Sequence, residues 1–594
     1  MSMQVVAPVT NPTVQSDVRA QLERVCASEV FAQVDRLRRF LQFIVEETLQ
    51  GKGGNLKEFL VGVEVFNKSA HFDPRTDPIV RVQARRLRER LTQYYAKQGH
   101  NDPLVIELPK GSYKPIFYRP TRASGAPSPS LVPARNTIAV PPFADHSPSR
   151  DQAYFCRGIA DEIITALTKV PGLRVVAWAT SSEDAERAEK TRQMAERYDV
   201  ATIVDGSVRK SGDEVRITVR LVDTATGSYV WSETFDRKTE HVFALQEEIS
   251  RRIEAELREH ADGEGGSRLA RHSTNLAAYN FYLKGRYHLS QRSEKALLRA
   301  SEDFAQATKE DPGYALAFAG LADSYALLAN YGAVAPMEVW MKAISAATTA
   351  VLLDDHSSEA HASLGHVKAT HGWEWSGAEK EFNKAISLNP ACATAHHWYA
   401  RACLAPVGRL AEAVSQMNEA QTLDPVSPII SRDAAVVFFF QRDFDAAIEQ
   451  CHYAIQEDPN FYGTYWILGL VEEQKRSFDA AIEAFQRALV LAPNTPRVLG
   501  SFGRTLALAG ETQHAMAILE ELDDLGRTRY VSPFEKASIY FGLGNRQSGF
   551  AWLEKALEHR SFELISWLVD PRFDEIRELP EFASYPARLG LTIS

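Results

Sequence analysis

Five arginines crowd one short stretch of this 594-residue chain: Arg81, Arg85, Arg86, Arg88 and Arg90. A guanidinium is planar, keeps its charge and presents its donors as a fork. It can therefore grip phosphate oxygens, or the O6 and N7 acceptors of guanine, in bidentate fashion. Such a cluster serves the binding of a polyanion, some arginines on phosphate and others on base edges. Residues 75–97 carry seven Lys or Arg against Asp77 and Glu89, a local charge of +5 in a chain of formal net charge −10. The elements that must hold these groups are legible nearby. Val80, Ala84, Leu87 and Leu91 recur at helical period, an apolar stripe beside the one that carries Arg81, Arg85 and Arg88. LVIELP and YKPIFY follow as two strand-like runs, joined through Lys110-Gly111-Ser112, a turn with a glycine. Lys110 is placed there to take a flanking phosphate.

RRLRERL followed by IELPKGSYKPIF resembles the carboxy-terminal effector domain of OmpR/PhoB-type regulators, a winged helix of α+β class. The resemblance spans roughly residues 56–118. On it, Arg86, Leu87, Arg88 and Leu91 fall on the recognition-helix motif, and Gly111 and Tyr113 fall on the wing. LKEFLVGVEVF (56–66) is then the positioning helix. This implies a helix in the major groove of double-stranded DNA, a wing on the flanking backbone, and an oligomer such as a homodimer on repeated sites. Two features depart from the family pattern. The connection NKSAHFDPRTDP is long, and residues 17–50 read as helical where the family carries a small sheet.

The charge divides with the domains. Residues 1–120 hold 18 Lys or Arg against 13 Asp or Glu, so the remaining chain is strongly acidic. The head is expected over 15–119, and residues 120–135, rich in Pro, Ser and Ala, read as a semi-extended linker. A second domain is expected over 136–262. NTIAVPPF opens it as a strand, YFCRGIADEIITALTKV has helical spacing, and LRVVAW is a second strand. A charged helix (182–197) precedes three strands, ATIVDGSVRK, EVRITVRLVD and SYVWSETFDR, turned at Ser211-Gly212-Asp213 and Thr226-Gly227, and FALQEEISRRIEAEL closes as a helix. The order βαβαβββα predicts an α/β layer with a mixed sheet. DGSVRKSGDEVRITVRLVDTATGSYVWSETFDR also resembles the TolB amino-terminal/FlgO-like domain, which implies no catalytic role.

Residues 275–590 are repetitive. Pro390, Pro425, Pro459 and Pro493 stand 35, 34 and 34 residues apart, and Pro312 precedes Pro390 by 78, two periods plus ten around 331–339. A 34-residue helix-turn-helix period is that of tetratricopeptide (TPR) repeats, an all-α solenoid. In the clearest unit Leu468, Gly469, Ala481, Phe485, Ala488 and Pro493 occupy the family's small, large and stop positions. About eight units are expected, with 496–560 degenerate and WLVDPRFDEIRELPEF (567–582) as a terminal cap. The concave face of such a stack binds a protein or peptide partner.

Other chemistry finds little support. Asp161 and Glu162 are adjacent and point apart, and a helix N-terminal dipole accounts for them. His396-His397-Trp398 reads as packing rather than a metal site, because neighbouring histidines diverge on a helix. Arg209 and Lys210 read as a solvated hairpin tip. Cys26, Cys156, Cys392, Cys403 and Cys451 are scattered without a CxxC pair, which suits a reducing compartment. No phosphate loop, HExxH, GxSxG, cyclase-type metal carboxylates or receiver domain is found, so no enzyme, metal or cofactor is expected. No signal peptide or membrane span is expected either, and the location read is the cytoplasm. The multidomain chain reads as a bacterial-type cytosolic transcription regulator with a TPR solenoid for partners or signal input. The alternative is a TPR scaffold or adaptor without specific DNA binding, which domain company alone would link to cyclic-nucleotide signalling.

Overall fold

The computed structural model describes residues 3–5, 12–28, 30–31, 34–50, 52, 56–66, 68, 79–99, 102, 104–108, 113–120, 137–168, 173–177, 195, 197–198, 200–238, 248–249, 251–253, 256, 273 and 275–591. The chain divides into two compact units, 1–130 and 131–594. The charged segment 182–197, the closing helix around 243–257, the linker 120–135 and the connection 67–78 lie largely or wholly outside the described residues.

The first unit begins with β1 (Met3–Val5), followed by α1 (Pro12–Ala27), α2 (Asp35–Leu49), α3 (Glu58–Phe66) and α4 (Ile79–Lys97). β2 (Val105–Glu107) and β3 (Ile116–Pro120) form an antiparallel pair with Ile106 opposite Phe117, and β1 adds to the other side of β3. The apolar stripe of α4 does what its spacing predicts. Val80, Ala84, Leu87 and Leu91 are all at most 4% exposed, packed with Phe40, Leu41, Val61 and Val65 of α2 and α3. The helical run expected over 17–50 is α1 and α2.

In the second unit β4 (Thr137–Val140) lies between β6 (Arg174–Ala177) and β7 (Thr202–Ser211), parallel to both. β7, β8 (Glu214–Asp223) and β9 (Tyr229–Lys238) continue as an antiparallel meander, and the short β5 (Ala144–Asp145) pairs with β7. The sheet is thus mixed, in the order β6-β4-β7-β8-β9. Val215, Ile217, Val219 and Leu221 alternate inward at period two and meet Phe155, Ile159 and Ile163 of α5 (Ala153–Leu167). Gly206 is required where β7 passes the Phe143 ring, because a Cβ there would overlap it. Gly212 turns the β7–β8 hairpin at φ 59°.

Eight helical pairs follow between Leu276 and Glu558 among the described residues. The second helices settle to 14 residues from the third pair to the seventh. The ten extra residues before Pro390 go mainly into the 18-residue helix Pro336–Leu353 and the turn before it. The segment 496–560, degenerate in sequence, still forms two pairs. In the sixth pair, Tyr462–Gln474 and Phe478–Leu491, Ala481, Phe485 and Ala488 are fully buried and Leu468 is half-buried. A Cβ on Gly469 would stand 2.6 Å from the Phe485 ring, so the bare backbone is what lets the helices approach. Pro493 lies just past the second helix, which caps at Ala492.

The sheet layer and the solenoid share one core. Ile159 and Val208 belong to the same buried cluster as Tyr282, Phe304 and Ala347. Gly158 sits so close to Leu283 that a Cβ would come within 2.6 Å of it. Asp161 lies in the middle of α5 rather than at its start, so the dipole explanation is replaced by an ion pair with Arg286 of the first repeat at 3.6 Å.

Phe485→Ala should cost about 3–5 kcal/mol, the range for emptying a packed aromatic site. Urea unfolding followed by circular dichroism checks this, and a loss below about 1 kcal/mol would mean that the sixth pair is not held by this contact.

Candidate functional site

Burial of one α4 stripe decides where its arginines go. Arg86 is exposed. Arg88 turns toward the hairpin, its Nε donating to the Leu108 carbonyl at 3.0 Å, and burial lowers its pKa from the usual guanidinium value. Arg90 reaches the corner between α1 and α2, where its Nη1 donates to the Val30 carbonyl at 3.3 Å. Two of the five arginines thus tie α4 to its neighbours. Arg81 and Arg85 lie on the α4 backbone with side chains outside the described set, and Lys110 and Gly111 lie outside the described residues altogether. Tyr113 is half-buried with its ring 6.5 Å from Phe40, so the aromatic of the hairpin is used for packing.

A polar knot, unmarked in the sequence, fixes the hairpin to α4. Tyr95 Oη accepts the Ile106 backbone N–H at 2.9 Å, and Tyr94 donates to Asp102 at 2.7 Å. Burial and then the Asp102 contact push the Tyr94 phenol well above its usual range. Tyr94 and Tyr95 lie on adjacent positions of a helix, and the return of the chain at Asp102, together with Gln21 of α1 at 3.3 Å from the Tyr95 hydroxyl, supplies partners to both.

The repeat groove is occupied by the chain itself. The C-terminal stretch that contains the expected cap, 567–582, begins with the short helix Phe562–Ser566 and runs to Leu591. It touches several pairs far apart in sequence. Arg401 Nη1 donates to Ser566 Oγ at 3.0 Å, Arg504 Nη2 to the Arg572 carbonyl at 2.7 Å, and Trp375 Nε1 to the Leu589 carbonyl at 2.8 Å. Arg442 pairs with Asp574 at 2.6 Å. One short segment can meet the third, fourth, fifth and seventh pairs only from inside their curve. Trp567 anchors it, fully buried with ring centroids of Phe582 and Tyr585 at 4.7 and 4.9 Å. His396 and His397 part company as expected. His396 meets Gln416 at 2.6 Å, and His397 meets Asp433 at 2.7 Å.

Comparison with known proteins bears on the second unit. Residues 134–252 match the HilA/YgeH-like transcriptional regulator, second domain, in the segment whose sequence resembles the TolB amino-terminal domain. Residues 374–428 and 432–496 match tetratricopeptide repeats. A Rhizobium meliloti (strain 1021) protein with the provisional name adenylate cyclase 3 is 32% identical over 232 residues, 38% of this chain and 39% of that protein. The transcriptional regulator HilA of Salmonella typhimurium is 26% identical over 167 residues, 28% of this chain and 30% of HilA. The chain therefore spans well under half the length of these relatives. Among solved structures, YrrB, a TPR protein with an unusual peptide-binding site, aligns over 34% of this chain and 97% of its own at 18% identity and a TM-score of 0.23. PilF of Pseudomonas aeruginosa aligns over 38% and 96% at 19% identity and a TM-score of 0.28. Among the described residues no helix is long and apolar enough to cross a membrane.

Arg88→Ala should lower the stability of the first unit by about 1–2 kcal/mol, since it leaves the Leu108 carbonyl without this donor, while Arg86→Ala should leave it unchanged. Hydrogen exchange of the Ile106 and Leu108 amides in the full-length protein reads the difference. Equal protection in the two variants would remove the anchoring role of Arg88.

Proposed function

We propose that this chain is a transcription regulator that binds duplex DNA through a winged helix formed by α2–α4 and the β2–β3 hairpin. The sheet layer and solenoid take the input. The observation that carries the reading is the HilA/YgeH-like second domain at 134–252, preceded in the chain by a unit with a basic helix and an antiparallel hairpin. HilA is named a transcriptional regulator. In this reading α4 enters the major groove and offers Arg86, with Arg81 and Arg85 on the same helix. Arg88 and Arg90 orient it through their bonds to the Leu108 and Val30 carbonyls. Lys110 and Gly111 approach a flanking phosphate. The charge of +5 over 1–120 supports attraction to DNA, while the acidic remainder stays off it. The protein works in the cytoplasm, as a homodimer on repeated half-sites, and no catalysis is assigned to it.

A second reading is a TPR adaptor in cyclic-nucleotide signalling. The match of 232 residues to the protein named adenylate cyclase 3 favours it.

Selection of random duplex DNA by the full-length protein, repeated across a salt series, separates the two. The regulator reading expects an enriched motif and a negative slope of log K against log salt of roughly 0.9 per phosphate contact. Replacing Arg85 and Arg86 together by Ala should weaken the selected site by about tenfold or more. Salt-dependent binding with no motif would leave only a nonspecific basic surface. Absence of binding at about 50 mM salt would hand the function to the adaptor.

A further inference from the structure

One cavity inside the solenoid is lined by more arginines than carboxylates. Arg292, Arg401, Arg432 and Arg497 line one cavity of about 60 Å³. They come from the first, fourth, fifth and seventh helical pairs, so only the closing of the superhelix assembles them. Asp433 is the single carboxylate in that lining. It serves three groups at once: Arg432 Nε at 2.8 Å, Arg401 Nε at 3.9 Å and His397 Nε2 at 2.7 Å. Glu563 backs Arg497 at 3.0 Å from outside the lining. Within the lining itself, four guanidinium groups face one carboxylate.

Several polar atoms in the cavity are also unused. Arg292 Nε, Arg497 Nε, Asn330 Oδ1 and His366 Nδ1 are buried without a hydrogen-bond partner among the described residues. Asn330 and His366 are each only 4% exposed, and Arg432 only 8%. Asp323, in the adjoining cavity, acts on Arg292, and burial pushes its pKa up to about 7. Burial lowers Arg292 and brings Arg401 down to about 10, whereas at Arg432 and Arg497 burial is outweighed by neighbours led by Asp433 and Glu563, which hold both above the usual guanidinium value. Guanidinium groups gathered away from water without matching anions are costly to the fold, and a bound anion removes that cost.

The walls narrow the chemistry. Trp398, Trp466, Tyr331 and Phe562 surround the arginines, with Phe562 5.8 Å from Arg401 and 5.6 Å from Arg497. A second cavity of about 310 Å³ shares Arg292 and Trp398 with the first, and Arg157, Asp161 and Thr165 of α5 help to line it. A carboxylate brings one charge. A phosphate monoester brings nearly two at neutral pH, since its second pKa is about 6, on three acceptor oxygens. We infer that the arginine cavity binds the phosphate group of a small organic phosphate monoester, whose organic part extends into the adjoining cavity beside α5. The ligand would then touch both the solenoid and the HilA-like layer. This site does not depend on the DNA-binding reading, and its failure would leave that reading intact.

Isothermal titration and thermal unfolding of the full-length protein test it with ribose 5-phosphate, glycerol 3-phosphate, adenosine 5′-monophosphate, their unphosphorylated counterparts and inorganic phosphate. At least one ester should bind about tenfold or more tighter than both its alcohol and inorganic phosphate, as expected when charge-assisted hydrogen bonds and apolar contact combine. Arg292→Gln should abolish that preference without lowering the ligand-free Tm, because it removes a charge that burial penalises. Arg292→Glu supplies an internal anion, so it should raise the ligand-free Tm and also abolish binding. The inference is overturned if no ester distinguishes wild type from Arg292→Gln, or if inorganic phosphate binds as tightly as every ester.

Discussion

The contact between a bulky ring and a bare stretch of backbone governs the second unit. Where Phe485 meets Gly469, two helices approach more closely than any side chain at 469 would permit. The same device recurs where Phe382 meets Gly365 and where Phe304 meets Gly320. Gly469 and Gly365 bring together the two helices of one pair, Gly320 joins one pair to the pair before it, and eight pairs stacked in this way curve into a closed superhelix. Closure is visible in the ion pair between Arg529, after the seventh pair, and Glu294 in the first, at 2.7 Å. A closed curve has an interior that must be filled, and the C-terminal segment around Trp567 fills much of it.

Filling the interior changes what the repeats offer. A peptide arriving at the inner face of the third to seventh pairs would have to displace Trp567, Phe573 and Tyr585, which belong to the same core as Phe382 and Phe485. The space left over in the arginine cavity is walled by arginines and aromatic rings. The sheet layer is held to this body by the Gly158–Leu283 contact and by Tyr198, whose hydroxyl meets that of Tyr453. Arg197 beside it pairs with Glu457. Layer and solenoid are therefore packed as one unit, and the cavity between α5 and the repeats belongs to both.

In the first unit the same residue type does two kinds of work. Arg88 and Arg90 spend donors on backbone carbonyls, which fixes the pitch and rotation of α4 against the hairpin. Arg86 is exposed to solvent. A helix meant to present arginines in one orientation needs such anchors, because a lone basic helix with one apolar stripe could still roll on its core.

Periodic features were legible in the chain itself, because period and residue size act locally. The α4 stripe, the alternation in β8, the turn at Gly212 and the 34-residue spacing of prolines each report a neighbour a few residues or one repeat away. What no local pattern contained was decided by the tertiary structure. Arg292, Arg401, Arg432 and Arg497 are spread over more than two hundred residues and converge only when the superhelix closes. The terminal stretch reads as a cap because its apolar residues look like those that cover a last repeat; its docking inside the curve depends on a space that exists only after all the pairs have stacked. Asp161 reads as a helix start, but α5 begins at Ala153, and the partner of Asp161 is Arg286, in a repeat more than a hundred residues away. Short-range sterics write the elements into the sequence, while the placement of charge in the interior is settled by curvature accumulated over the whole solenoid.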